Sequence, residues 1–172
     1  MNLEDKIKKI NAIVLDIDGV LTDGRMGYSA GDEIKFFHVR DGHGIKLAMR
    51  AGLKVGALSG RQAIANEKRA KELSFDFLYQ GEKNKKEAFK KLLKENKLNA
   101  EECLYIGDDL IDIPVLTQVG VAVTVADAGE DMDEFCDFRT KLAGGYGAVR
   151  EVIELVLKTQ DKWDKQTERY LS

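Results

Sequence analysis

The sequence predicts an α/β fold: a doubly wound, mostly parallel sheet with helices on both faces. Three observations carry this expectation. Short, almost wholly apolar and β-branched runs alternate with longer charged segments. The runs lack a polar alternation, as strands buried on both faces do. The charged segments carry apolar residues at helical spacing, and strand followed by helix, about five times over, builds an open sheet.

The strands are read at residues 12–17, 53–58, 75–79, 103–106 and 119–125. Between them, Ala88, Phe89, Leu92 and Leu93 share one helical stripe. Val149, Val152, Ile153 and Val156 share another, in a C-terminal helix from about residue 147. One stretch breaks the alternation. Residues 25–39 place aromatic and β-branched side chains on either side of Ser29-Ala30-Gly31-Asp32, which reads as a β-hairpin inserted after the first strand. Gly144-Gly145-Tyr146-Gly147 is a flexible approach to the last helix, and beyond Lys158 the chain turns polar, so its final residues are expected to fray. With no internal repeat and no linker, residues 1–172 read as one domain, long enough to bury roughly 70% of its unfolded surface.

Composition narrows the function. The chain is 44% hydrophobic and 33% charged, which excludes disordered and low-complexity classes. Lys plus Arg is 27 against 30 for Asp plus Glu, a net charge of −3. That balance argues against a nucleic-acid or anionic-membrane partner, which wants a basic patch. Cys103 and Cys136 form no C-x-x-C pair, so a disulfide scaffold or cysteine zinc site is not expected and a reducing cytoplasm fits. No apolar run approaches a membrane span, and the first residues lack the apolar core of a signal peptide.

Ligands of open α/β sheets bind outside the carboxyl ends of the strands. The first strand ends in Asp16-Ile17-Asp18-Gly19, the second in Ser59-Gly60-Arg61, and the strand around Tyr105 in Gly107-Asp108-Asp109, with Asp112 one turn on. Five carboxylates in one crevice repel unless a cation sits among them. Oxygen donors without paired His or Cys select Mg²⁺ over zinc. A calcium loop does not fit, because glycine stands at loop position four and Gly27 occupies position twelve. A carboxylate beside Mg²⁺ can attack a phosphoryl group and form an aspartyl-phosphate. A second carboxylate two residues on can protonate the leaving oxygen and then activate water. Ser59 offers a hydroxyl for the remaining phosphoryl oxygens, and Lys83, Lys85 and Lys86 each offer a cation.

In that order, D-I-D-G-V-L-T-D-G, S-G-R, a lysine opening a helix and G-D-D-L-I-D resemble the four motifs of the haloacid dehalogenase superfamily of phosphohydrolases. The resemblance implies a Rossmann-like phosphatase domain with Asp16 as nucleophile and Asp18 as general acid and base. It makes Ser59 and Lys85 the phosphoryl-binding pair, Lys85 being singled out by the N-K-x-x-A-F pattern from Asn84 to Phe89. It makes Asp108 a Mg²⁺ ligand together with Asp16 and the main-chain carbonyl of Asp18, with Asp109 and Asp112 in support. The gaps that hold a substrate-selecting cap in this superfamily contain only the hairpin and one helix and strand, so the chain reads as capless.

A finer resemblance is to the 3-deoxy-D-manno-octulosonate 8-phosphate phosphatases. It rests on F-H-V-R-D-G-H-G-I-K, L-Y-Q-G-E-K-N-K and A-G-G-Y-G-A-V-R-E. It implies hydrolysis of a phosphorylated sugar acid on the route to lipopolysaccharide, in a homotetramer whose hairpins pair and whose C-terminal segment closes over a neighbour's site. The residues matching its substrate contacts are Asp18, His38, Val39, Arg40, Asp41, Gly42, Lys46, Arg61, Arg69 and Lys85. Arg40, Lys46, Arg61 and Arg69 suit a sugar carboxylate and phosphate. The family often has Asn where His38 stands and Arg where Lys46 stands. A phosphatase for a nine-carbon sugar acid phosphate, a receiver-type signalling domain and a non-catalytic relative are the competing readings. The order of the acidic groups counts against a receiver, and the full catalytic set counts against a non-catalytic relative.

Overall fold

The computed structural model describes residues 2–171, and of Asp32 the backbone alone. Six strands form one sheet: β1 (Ala12–Leu15), β4 (Lys54–Leu58), β5 (Phe77–Tyr79), β6 (Cys103–Gly107), β7 (Val121–Thr124) and β8 (Phe138–Arg139). Their order is β5-β4-β1-β6-β7-β8, and every neighbouring pair is parallel. A separate antiparallel pair, β2 (Gly27–Ser29) and β3 (Asp32–Ile34), is the inserted hairpin, turning at Gly31 with φ +107°.

Side chains alternate across the sheet, so each strand feeds two cores. Ile13, Leu15, Val55, Ala57, Leu104 and Ile106 pack with α1 (Leu3–Lys8), α2 (Val39–Arg50) and α6 (Ala148–Thr159). Ala12, Val14, Leu58, Cys103 and Tyr105 pack on the other face with α4 (Lys85–Asn96) and α5 (Ile113–Leu116). The predicted stripes land where expected: Phe89 and Leu92 are buried on α4, and Val149, Val152, Ile153 and Val156 on α6. Helix α3 (Ile64–Leu73) follows β4.

Three features differ from the sequence reading. Four of the five expected strands are trimmed at their ends, while β6 runs one residue further; Asp16 and Ile17 already belong to the loop after β1. Strand β8 has two residues and follows an acidic 3₁₀ turn, Glu130–Phe135, too short a run to show periodicity. The described C-terminal residues are folded where fraying was expected. They form α7 (Trp163–Thr167) and a 3₁₀ turn, and two aromatic rings anchor them. Trp163 lies under Arg150 and Lys158, and the Tyr170 hydroxyl accepts from Arg50 Nη2 at 2.7 Å.

From β1 the chain crosses to β4 on one side and later returns to β6 on the other. The loops after β1, β4 and β6 therefore diverge and leave a crevice at their carboxyl ends.

Candidate active site

A crevice of about 460 Å³ opens at that switch point, lined by Asp16, Asp18, Ser59, Arg61, Lys83, Lys85, Asp108 and Asp109 among others. The loop after β1 reaches it through a tight turn. The Thr22 hydroxyl accepts from the Gly19 and Gly24 amides at 3.3 and 3.2 Å. Gly19 has φ +89°, and a Cβ there would stand 1.9 Å from Asp108 Oδ2, so only glycine lets the β1 and β6 loops meet. The Gly144 backbone closes on the same turn; a Cβ there would fall 1.7 Å from the Gly19 carbonyl oxygen. The A-G-G-Y-G stretch is thus a brace beneath the Asp16–Asp18 loop.

At the floor, the buried Lys85 ammonium lies 3.0 Å from Asp16 Oδ2 and donates to Asp112 Oδ1 at 2.6 Å. Asn84 caps α4 by accepting from the Glu87 amide at 3.2 Å, which fixes Lys85 as the first helical residue. Lys85 is buried where Lys83 and Lys86 are exposed. Burial disfavours its charge, but Asp16 and Asp112 outweigh that and raise its pKa.

Asp112 supports the other groups. The Tyr105 hydroxyl donates to its Oδ1 at 2.5 Å, and its Oδ2 accepts from the Asp108 and Asp109 amides at 3.1 and 3.3 Å. Asp109 caps the same turn by accepting from Leu110 N at 2.7 Å and is otherwise exposed. Carboxylate oxygens of Asp16, Asp108 and Asp112 all lie within 4.8 Å of one another. Burial and Asp112 raise the Asp16 pKa from 3.8 to about 7, with Lys85 pulling the other way. Burial and the neighbouring Asp16 and Asp112 push Asp108 up to about 8. Such a surplus of negative charge is what a hard cation offsets. Asp112 accepts from Lys85, Tyr105 and the Asp108 and Asp109 amides, and Asp16 accepts from Ile17 N at 2.8 Å beside Lys85, whereas Asp108 is the member of the group whose carboxylate meets the fewest protein donors among the described residues.

Ser59 is buried at the end of β4, and its Oγ accepts from Arg61 N at 3.3 Å. Arg61 is half exposed at the rim and pairs with Glu33 of the hairpin. The remaining expected substrate contacts do not line this crevice. His38 lines a smaller cavity of about 220 Å³ beside Phe36 and Tyr146. Val39 and Arg40 are exposed at the start of α2. Asp41 is buried, and its Oδ1 accepts from Arg150 N at 2.7 Å. Gly42 faces Arg69, whose Nη2 donates to the His38 carbonyl at 3.3 Å. Lys46 donates to the Leu73 carbonyl at 2.6 Å and to Ser74 Oγ at 3.1 Å, closing the end of α3. His43 lies 2.9 Å from the Tyr170 hydroxyl.

Sequence reasoning passed over two residues of the site. Tyr105 is the one polar tip inside an apolar strand, which was its only signal. Lys35 has a fully buried side chain 2.6 Å from Asp18 Oδ1, and its signal was a lone basic residue among hairpin aromatics.

Comparison with known proteins agrees with this geometry. Residues 77–153 match the haloacid dehalogenase-like hydrolase family. The 3-deoxy-D-manno-octulosonate 8-phosphate phosphatase of Escherichia coli K12 is 45% identical over 162 residues, covering 93% of this chain and 86% of that one. The chain belongs to the 3-deoxy-D-manno-octulosonate 8-phosphate phosphatase family. Within this haloacid dehalogenase-type family, the Moraxella catarrhalis phosphatase, solved with magnesium, phosphate and the sugar acid, superposes with a TM-score of 0.93 at 36% identity, over 97% of both chains. The cobalt-bound Haemophilus influenzae phosphatase superposes with a TM-score of 0.91 at 37% identity, over 97% of this chain and 99% of that one.

Proposed function

We propose that this chain is a Mg²⁺-dependent phosphatase, a single capless domain that hydrolyses 3-deoxy-D-manno-octulosonate 8-phosphate to the sugar acid and phosphate. The observation that carries the reading is the convergence of Asp16, Asp108 and Lys85 around Asp112. That arrangement pairs a nucleophilic carboxylate with a cation for the phosphoryl oxygens, in a family whose named members act on this sugar phosphate.

Asp16 attacks the phosphorus, and the bond from phosphorus to the sugar oxygen breaks. Asp18 gives its proton to the departing oxygen. It then takes a proton from the water that attacks the aspartyl-phosphate, which releases phosphate and restores the Asp16 carboxylate. The Ser59 hydroxyl and the Lys85 ammonium hold the phosphoryl oxygens. Mg²⁺ would be held by the Asp16 and Asp108 carboxylates and the Asp18 main-chain carbonyl, with Asp109 and Asp112 orienting them. When bound, it offsets the charge of the phosphoryl group and the carboxylates. Arg61 at the rim is suited to the sugar carboxylate. His38, Val39, Arg40, Asp41, Gly42, Lys46 and Arg69 are proposed substrate-side positions on the family match alone.

The same reading makes the enzyme a cytoplasmic homotetramer on the route to lipopolysaccharide. Its hairpin supports the assembly: Tyr28 is 76% and Phe36 74% exposed, an apolar outer face that pairing with other copies would bury. Phosphate release from eight- and nine-carbon sugar acid phosphates, with and without Mg²⁺, tests the assignment. The eight-carbon substrate is expected to give the highest kcat/KM, only with Mg²⁺. Preference for a nine-carbon substrate would move the assignment to that class.

A further inference from the structure

The hairpin has an inverted pattern. Its apolar residues Tyr28, Ile34 and Phe36 face outward, while Lys35, between two of them, turns inward with a fully buried side chain. A buried ammonium is stable only with an anionic partner. Lys35 Nζ stands 2.6 Å from Asp18 Oδ1 and 3.7 Å from Glu33 Oε2. Glu33 in turn pairs with Arg61 at the crevice rim. The hairpin therefore grips the loops after β1 and β4 at once.

The contact with Asp18 is a close ion pair through one carboxylate oxygen. Asp18 Oδ2, also buried, has no hydrogen-bond partner among the described residues. The ion pair thus fixes where the carboxylate stands through Oδ1 and leaves Oδ2 for the passage of a proton to and from a ligand.

We propose that Lys35 is a positioning residue for Asp18, and that the hairpin is part of the catalytic apparatus through it. The inference rests on the reading of Asp18 as general acid. Misplacing an acid by a fraction of its reach costs rate where the leaving group needs a proton and little where it does not. A sugar alkoxide needs one; p-nitrophenolate leaves without it.

The test compares kcat/KM, which covers steps through departure of the leaving group, for 3-deoxy-D-manno-octulosonate 8-phosphate and p-nitrophenyl phosphate. Lys35→Met is expected to lower it about tenfold to a hundredfold for the sugar phosphate and no more than about threefold for the aryl ester. Lys35→Arg, which keeps the charge, should recover most of the loss. If Lys35→Met does not fold, Lys35→Gln against Lys35→Arg gives the same comparison. Equal losses on both substrates, or none, overturn the proposal. Asp18→Asn run alongside separates the two levels. If it shows the leaving-group dependence and the Lys35 variants do not, Lys35 has no positioning role; if Asp18→Asn lacks it too, the reading of Asp18 falls and the proposal with it.

Discussion

Asp16 and Asp108 bring more negative charge into the crevice than Lys85 neutralises, and both behaviours expected of a phosphatase follow from that. The first is chemical. Asp16→Asn keeps the shape and removes the proposed nucleophile, so turnover should drop by several orders of magnitude in a steady-state assay. Retention of a substantial share of wild-type rate would rule Asp16 out. The second is thermodynamic. Both carboxyls have folded pKa values raised from 3.8, to about 7 and about 8. The folded state then holds protons that the unfolded chain has released. Their contribution to stability is complete below the unfolded pKa and disappears as pH rises through the folded values. In EDTA the melting temperature should therefore fall between about pH 5 and about pH 8, and Mg²⁺ should reverse the fall. Asp108→Asn should flatten the decline and blunt the response to Mg²⁺. Thermal melts rising across that range, in protein and variant alike, would contradict the charge argument.

Helix α2 shows how one element carries both packing and expected function. Its buried Asp41 caps α6 through Arg150 N, so the two helices are tied end to side as well as packed. Removing a buried cap costs about 1–2 kcal/mol. Asp41→Ala should lower the melting temperature by about 2–8 °C in calorimetry at fixed pH and Mg²⁺. An unchanged melt would show that the cap contributes nothing. Further along the same helix and on a different side of it, Lys46 closes α3 through the Leu73 carbonyl. The sequence motif F-H-V-R-D-G-H-G-I-K therefore has a structural reason within this chain, besides any contact with substrate.

For the whole molecule, the hairpin decides the outcome. Its inner face meets Asp18 and Arg61, and its outer face leaves Tyr28, Ile34 and Phe36 to solvent, while Phe37 turns inward against the core and under Arg69. An exposed apolar face of this kind marks a contact surface. If the proposed homotetramer forms through this face, replacing Ile34 and Phe36 with glutamate should give smaller species by light scattering, with the fold intact by circular dichroism. Unchanged assembly would assign the interface elsewhere.

The sequence by itself determined the sheet and the acidic edge. Buried parallel strands must be apolar on both faces, and the loops that follow them all leave from one edge of the sheet. Asp16, Asp18, Ser59 and Asp108 were legible for that reason. The family pattern, not spacing, chose Lys85 among three lysines, and burial then distinguished it from its neighbours. Only tertiary structure decided which groups share which contacts. Nothing local to Lys35 says that its ammonium meets Asp18, because the pair is 17 residues apart in sequence and meets only when the hairpin folds over the loop. Tyr105 looks like one more core aromatic until Asp112 is seen beside its hydroxyl. The tail reads as polar and loose, yet Trp163 and Tyr170 find Arg150 and Arg50 across the fold. Periodicity reports which face a residue occupies; the partners across that face come from chain segments far away in sequence, and they exist only once the chain has closed.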